Sequence, residues 1–353
     1  MIRQAMLALV LMICNVPLQA ETLYDLPASE QPESQLRIYG AADYPAIAAV
    51  LQQFQKKYPR ISVHYTEFNT RVLYQRFLEE QPHSVDLVLS SAMDLQIKLV
   101  NDGYAQPHLS LETERLPRWA NWRNEIFGFT YEPAVIAINS DVIKGEDLPR
   151  SRSELLSLIR RKSDLVKGRI GTFDIERVGV GYLTWANDRK QSGSYGRMLE
   201  SFGTHQARRF PSSSSMLKAL ASGEIVIAYN LMGSYALAAA KKNPVIKVIM
   251  PEDYTALVMR SAFIPRKAQN LHNARLFLNY LLSLEGQQLL SDSASLFPIR
   301  DDVTGMQTAH TLLSSSQGRF QPIPLGLALL VHTDQAKRRL ILDEWDAAMK
   351  SID

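Results

Sequence analysis

From residue 35 onward, short apolar strands and amphipathic helices alternate with joints of only a few residues. "QLRIYG" reads as a strand and leads into "AADYPAIAAVLQQFQKKYP", where Ile47, Val50, Leu51 and Phe54 recur at helical spacing and Pro59 lies just past the end. "ISVHYTEF" alternates as a strand does, "TRVLYQRFLEEQP" returns to helix, and "VDLVLS" is a second buried strand. "AMDLQIKLVNDG" follows as a helix with Gly103 at its C-terminal cap. Such alternation predicts an open, largely parallel sheet covered by helices.

The same grammar returns in the middle of the chain. "GFTYEPAVIAINS" contains a strand, "SRSELLSLIRRK" is a helix opened by Ser151 or Ser153, and "GRIGTFD" is a short strand. "GVGYLTWAND" and "SSSSMLKALASG" begin helices, and the strand in "EIVIAYN" precedes the helix "GSYALAAAKKN". A helical pair in "NLHNARLFLNYLLSLEGQQLLSDS" carries the apolar stripe Ala274, Phe277, Leu278, Leu281, Leu282, and "DQAKRRLILDEWDAAMK" is a terminal helix. A chain of 353 residues, 46% hydrophobic and 21% charged, has material for two cores. The extended connections near 128–136 and 250–262 lack a helix and read as a two-strand hinge. The predicted class is therefore α/β, with two parallel-rich sheets. Residues 35–130 form the first part of lobe one, 131–255 lobe two, and 256–353 the rest of lobe one with the C-terminal helices.

The first twenty residues have another character. Arg3 precedes an apolar run from Ala5 to Val16, then Pro17 and the small residue Ala20, which together read as a secretory signal cleaved after Ala20. The run is short for a bilayer span. Cys14, the only cysteine, lies within it, so the mature chain has no thiol for a disulfide, a Cys-ligated metal or a Cys nucleophile. Residues 21–34, with Pro27, Pro32 and several acids, read as a flexible leader. The expected product is exported, periplasmic and monomeric. A net charge of +3, with basic residues in short clusters such as Arg160, Arg161 and Lys162, does not call for nucleic acid.

In open parallel sheets the ligand crevice lies beyond the carboxyl ends of the strands. Four joints place small or polar residues there: "GAAD" with Ala41, Ala42 and Asp43; "SSA" with Ser90, Ser91 and Ala92; "GVG" with Gly179, Val180 and Gly181; and "SSSS" beginning with Ser212 and Ser213. Each opens a helix, whose first turn has unpaired N–H groups and a partial positive charge suited to an anion. Asp43, Ser91 and Ser212 read equally as plain N-caps. Arg177 is a candidate charge partner for the anion, or else a surface partner of Asp174 or Glu176. Asn230 and Tyr235, after the "IVIAYN" strand, are placed to read hydroxyls. Tyr131 and Glu132 stand at the first hinge crossing, where they either touch ligand or order the crossover. Trp119, Trp122 and Arg123 form an aromatic and basic group that serves core packing or ligand stacking.

The segments "LRIYGAADYPAIAAVLQQFQKKYPRISV", "DLVLSSAMDLQIKLVNDGYA", "ERVGVGYLTWAND", "LASGEIVIAYNLMGSYAL" and "AFIPRKAQNLHNARLFLNYLLSLEGQQLL" resemble the solute-binding proteins of ABC importers. The similar cluster includes ferric-ion, thiamine, phosphonate, sugar-phosphate and phosphoglycerate binders, and the resemblance spans about residues 35–300. It implies a two-lobed, type II periplasmic-binding-protein fold that closes on ligand by hinge motion, without a cofactor, and that delivers its cargo to a membrane permease. Ferric-ion members use a His in the first loop and an adjacent Tyr pair in lobe two. Here Asp43 stands about where the His would lie, and Tyr235 neighbours Ser234. That departure points from metal toward a phosphorylated or carboxylated organic solute. Ferric-ion binding stays open as an alternative, as does presentation of ligand to a sensor kinase ectodomain. An exported hydrolase is the remaining class, but the chain has neither G-x-S-x-G nor H-E-x-x-H, and its 7 histidines are scattered.

Overall fold

The computed structural model describes residues 21–80, 84–293, 295–305, 307–315 and 318–350. The expected signal segment, with Cys14 and the cleavage point after Ala20, lies outside them. Lobe one begins with β1 (Thr22–Leu26), β2 (Ser34–Gly40), α1 (Tyr44–Lys57), β3 (Ile61–Glu67), α2 (Thr70–Glu79), β4 (Leu87–Ser90) and α3 (Met93–Asn101), then the short α4 (Leu111–Glu114), β5 (Asn121–Trp122) and β6 (Ile126–Gly128). The chain crosses into lobe two with β7 (Glu132–Asn139), α5 (Arg152–Arg161), α6 (Ser163–Val166), β8 (Ile170–Phe173), α7 (Gly179–Gln191) and α8 (Tyr195–Thr204). β9 (Arg208–Phe210), α9 (Ser213–Ala221), β10 (Ile227–Met232), α10 (Gly233–Lys242), β11 (Ile246–Ile249) and β12 (Thr255–Val258) complete it. The return to lobe one supplies β13 (Ser261–Phe263), α11 (Leu271–Leu282) and α12 (Leu284–Asp292). Last come α13 (Ala309–Ser315), β14 (Phe320–Pro322), a 3₁₀ turn over Leu327–Thr333, and α14 (Gln335–Met349).

Two mixed sheets result, in the orders β1-β3-β2-β4-β13-β6-β5 and β14-β12-β7-β10-β8-β9, with β11 also on β7. The strands joined through helices, β3-β2-β4 and β10-β8-β9, are parallel; the crossing strands β7 and β13 are antiparallel to their neighbours, and β12 is antiparallel to β7 but parallel to β14. β7 shows why lobe two needs helices on both faces. Its alternate residues Val135 and Ala137 join the core that runs through lobe one and the hinge, whereas Ile136 and Ile138 join a separate core with Trp185 and Trp345.

The hinge is a hydrogen-bonded ribbon. Glu132 pairs with Val258 in the second sheet and Gly128 with Ser261 in the first. Between them the Phe129 N–H donates to the Arg260 carbonyl at 2.8 Å, and the Arg260 N–H donates to Thr130 Oγ1 at 3.0 Å. A third segment lies against the ribbon, the Tyr131 N–H donating to the Phe297 carbonyl at 2.8 Å. Two strands were expected here; the third follows from the route of the C-terminal residues.

Two expectations about the chain's organisation are corrected. Residues 21–34 are not a loose leader, because β1 pairs antiparallel with β3 from Thr22–Glu67 to Leu26–Val63. Tyr24 stacks on Tyr44 with ring centres 3.9 Å apart, and the pairing covers what would otherwise be an open sheet edge. Residues 256–353 do not all complete lobe one. β14 pairs with β12 of lobe two, and α14 packs on α8 with Ile341 and Trp345 buried. The Trp345 ring meets Trp185 edge to face at 4.8 Å. The 3₁₀ turn between them rests on α3 of lobe one.

Candidate functional site

The strand ends of both lobes converge on a cavity of about 70 Å³ beside the hinge. Lobe one contributes Ala41, Asp43, Phe68, Asn69, Thr70 and Ser91; lobe two contributes Phe173, Val178, Val180, Pro211, Ser212, Ser213, Met232 and Tyr235; the hinge contributes Arg260. The lobes are shut on it. The Asp43 N–H donates to Tyr235 Oη at 3.1 Å, Ser214 Oγ donates to Asp43 Oδ2 at 2.5 Å, and Asn69 Nδ2 donates to the Pro211 carbonyl at 3.1 Å. Thr70 Oγ1 accepts from the Gly179 N–H at 2.9 Å and the Val180 N–H at 3.4 Å.

Of the residues singled out in the sequence, Ala41, Asp43, Ser91, Val180, Ser212, Ser213 and Tyr235 line the cavity. Ala42, Ser90, Ala92, Gly179 and Gly181 form the layer behind. Tyr65 Oη donates to the Ala42 carbonyl, Ser90 Oγ accepts from the Ala92 N–H, and Gly181 lets α7 lie on Phe173, which a Cβ would approach to 2.4 Å. Asn230 is directed away, its Nδ2 donating to Asp188 Oδ2 at 2.8 Å within a buried lobe-two network that includes Arg152, Tyr229 and Tyr254. Arg177 stands outside with its side chain 72% exposed and its Nε 3.7 Å from Asp174 Oδ2, the surface pairing that was the other reading of it. Tyr131 packs against Trp119, and Trp122 carries Arg123 over its ring, away from the cavity.

The helix-opening amides are mostly engaged by the protein itself. Besides those already given, the Tyr44 N–H donates to Glu67 Oε2 at 2.7 Å and the Ser215 N–H to Ser212 Oγ at 3.1 Å. Bare peptide nitrogens therefore do not supply most of the site's positive character in this closed arrangement. Arg260 does. It is 2% exposed, its Nε lies 3.4 Å from Glu132 Oε1, its guanidinium sits 5.0 Å from the centre of the Tyr235 ring, and its Nη2 has no hydrogen-bond partner among the described residues. Burial alone would press the guanidinium toward neutrality, but the oxygens of Tyr235, Glu132, Asp43 and Tyr65 together outweigh that and hold its pKa above the usual range. The Tyr235 phenol is pushed up to about 12, chiefly by burial. Sequence reasoning passed over Arg260, although it is the lone charge in the apolar run "YTALVMRSAFIP". Thr70, also missed, gave only the ordinary sign of a helix start.

A sequence profile of the bacterial extracellular solute-binding proteins matches residues 36–293. The chain belongs to that family. This solute-binding protein is also similar to the crystal structure of a substrate-binding protein of an ABC transporter from Agrobacterium tumefaciens, with 33% identity, a TM-score of 0.89, and coverage of 94% of this chain and 99% of that one. More distant folds include the periplasmic binding protein AfuA from Actinobacillus pleuropneumoniae with fructose-6-phosphate bound, at 16% identity and TM-score 0.75 over 90% of this chain and 99% of that one. The ferric binding protein from Campylobacter jejuni matches at 20% identity and TM-score 0.71 over 89% and 99%. A comparison with curated protein sequences finds no match. The family and these structural relatives are binding proteins and not enzymes. No helix among the described residues of this solute-binding protein is long and apolar enough to cross a membrane.

Proposed function

We propose that this solute-binding protein works in the periplasm, where it captures a small phosphorylated or carboxylated organic solute between its lobes and hands it to a membrane ABC permease. The observation that carries this reading is Arg260, a cation buried in the interlobe cavity with one donor nitrogen that meets no acceptor among the described residues. An unmet buried donor costs about 1–3 kcal/mol, more when charged, and an anionic oxygen arriving with the solute removes that cost. Ser91 and Ser213 line the same space and carry hydroxyls that can donate to an oxyanion, while the Ser212 hydroxyl is taken up by its own helix cap. Ferric ion fits the residues less well: Tyr235 Oη already accepts from the Asp43 N–H, and its raised pKa opposes the phenolate that hard Fe(III) needs.

The test is a thermal-shift screen of small phosphorylated and carboxylated solutes, followed by calorimetry on the hits. A solute present at 100 times its Kd should stabilise the protein by about 2.7 kcal/mol. No stabilisation across the panel, or a visible charge-transfer band on adding ferric ion, would sink the anionic reading.

A further inference from the structure

We infer that the cavity selects solutes whose anionic group is joined by a short arm to a hydrogen-bond donor, the anion meeting Arg260 and the donor meeting Asp43. This rests on the anionic-solute reading above and narrows it.

Asp43 begins α1, yet its side chain makes no capping hydrogen bond to that helix. Its carboxylate lines the cavity, and its hydrogen bond among the described residues is the one it accepts from Ser214 on the opposite lobe. A carboxylate offers about four acceptor sites, so one serine hydroxyl leaves capacity for a solute donor. Charge balance points the same way. Around the guanidinium of Arg260 stand two carboxylates, Glu132 and Asp43, and the neutral phenol of Tyr235. A bare anion entering that space meets the attraction of one cation and the repulsion of two carboxylates, at short range and with little water to screen them. A hydroxyl on the solute turns the Asp43 contact from repulsive to attractive, and a protonated amine does so more strongly. A site with a carboxylate awaiting a donor rejects the analogue that lacks one, because the pairing lost on binding is not replaced.

Calorimetry on the full mature chain with two matched series tests this: methyl phosphate, glycerol 3-phosphate and O-phosphoethanolamine, and in parallel acetate, glycolate and glycine. In at least one series the donor-bearing members should bind roughly tenfold or more tighter than the simple anion, with the amine the tightest. Asp43→Ala should remove that preference, read as the ratio of donor-bearing to simple-anion affinity within each series, because losing the Ser214 contact across the lobes shifts every member together. Asp43→Asn, which keeps the shape and neutralises the charge, should reduce the amine's advantage more than the hydroxyl's. Arg260→Lys should weaken every member alike, circular dichroism confirming that each variant is folded. Equal affinity across both series, or a donor preference that survives Asp43→Ala, would overturn the inference while leaving the anionic reading intact. Binding of none of the six would count against the anionic reading itself.

Discussion

Asp94 lies in the first turn of α3 and is 1% exposed. Burial raises its pKa from 3.8 to about 6, although the Leu95 N–H and the Arg338 guanidinium pull it part of the way back. Between about pH 4 and pH 6 the unfolded chain gives up this proton and the native state keeps it, so stability falls as pH rises through that window and does not recover above it. Asp94→Asn should therefore raise Tm at pH 7.5, reflecting a stabilisation on the order of 3 kcal/mol, and make little difference at pH 4. Thermal unfolding at the two pH values decides this; an equal gap at both would show that charge is not the cause. The arginines show what a sequence reveals about single residues and what it does not. Arg177 attracted notice by its place next to a glycine-rich helix start, yet its side chain lies in solvent beside Asp174 one turn away. Arg260 faces the cavity only because the crossing strand brings it there, a fact of three-dimensional path that no local pattern encodes.

Helices and strands were far more legible, because periodicity of apolar residues is a local property and burial acts on it directly. The helix openings at Ser151 and Ser212 are capped by those side chains, and the stripe of Ala274, Phe277, Leu278, Leu281 and Leu282 is buried along α11. An amphipathic stripe says that a helix packs, without saying on what. That is why α14 was expected with lobe one although Trp345 seats it on lobe two. The seat depends on Gly203 of α8, where an added Cβ would lie 1.8 Å from the Ala348 carbonyl oxygen of α14. Since that oxygen belongs to backbone, the whole helix end must move. Gly203→Ala should cost about 1–3 kcal/mol and raise hydrogen exchange along α14 selectively. Unchanged protection of α14 would mean that the two helices separate without loss.

At the scale of the molecule, the four helix openings that the sequence offered as one site do gather at the lobe junction, but mostly with their amides already served across it. Closure is thereby built from contacts as tight as a protein core. Gly179 is one of them, with an added Cβ 3.0 Å from both Ala92 Cβ and Leu95 Cδ1 of lobe one. A leucine there should act as a wedge. Gly179→Leu is expected to lose roughly tenfold or more in solute affinity and to keep a larger radius of gyration in solution scattering at saturating solute, where the parent chain contracts. A variant that contracts as the parent does would show that the lobes meet elsewhere. Arg260, finally, belongs to neither arm of this machine but to the axle. A point on an axle travels least while the arms swing, so on the proposed reading a solute held by that guanidinium would keep its position in open and shut states alike, and both halves would come to it.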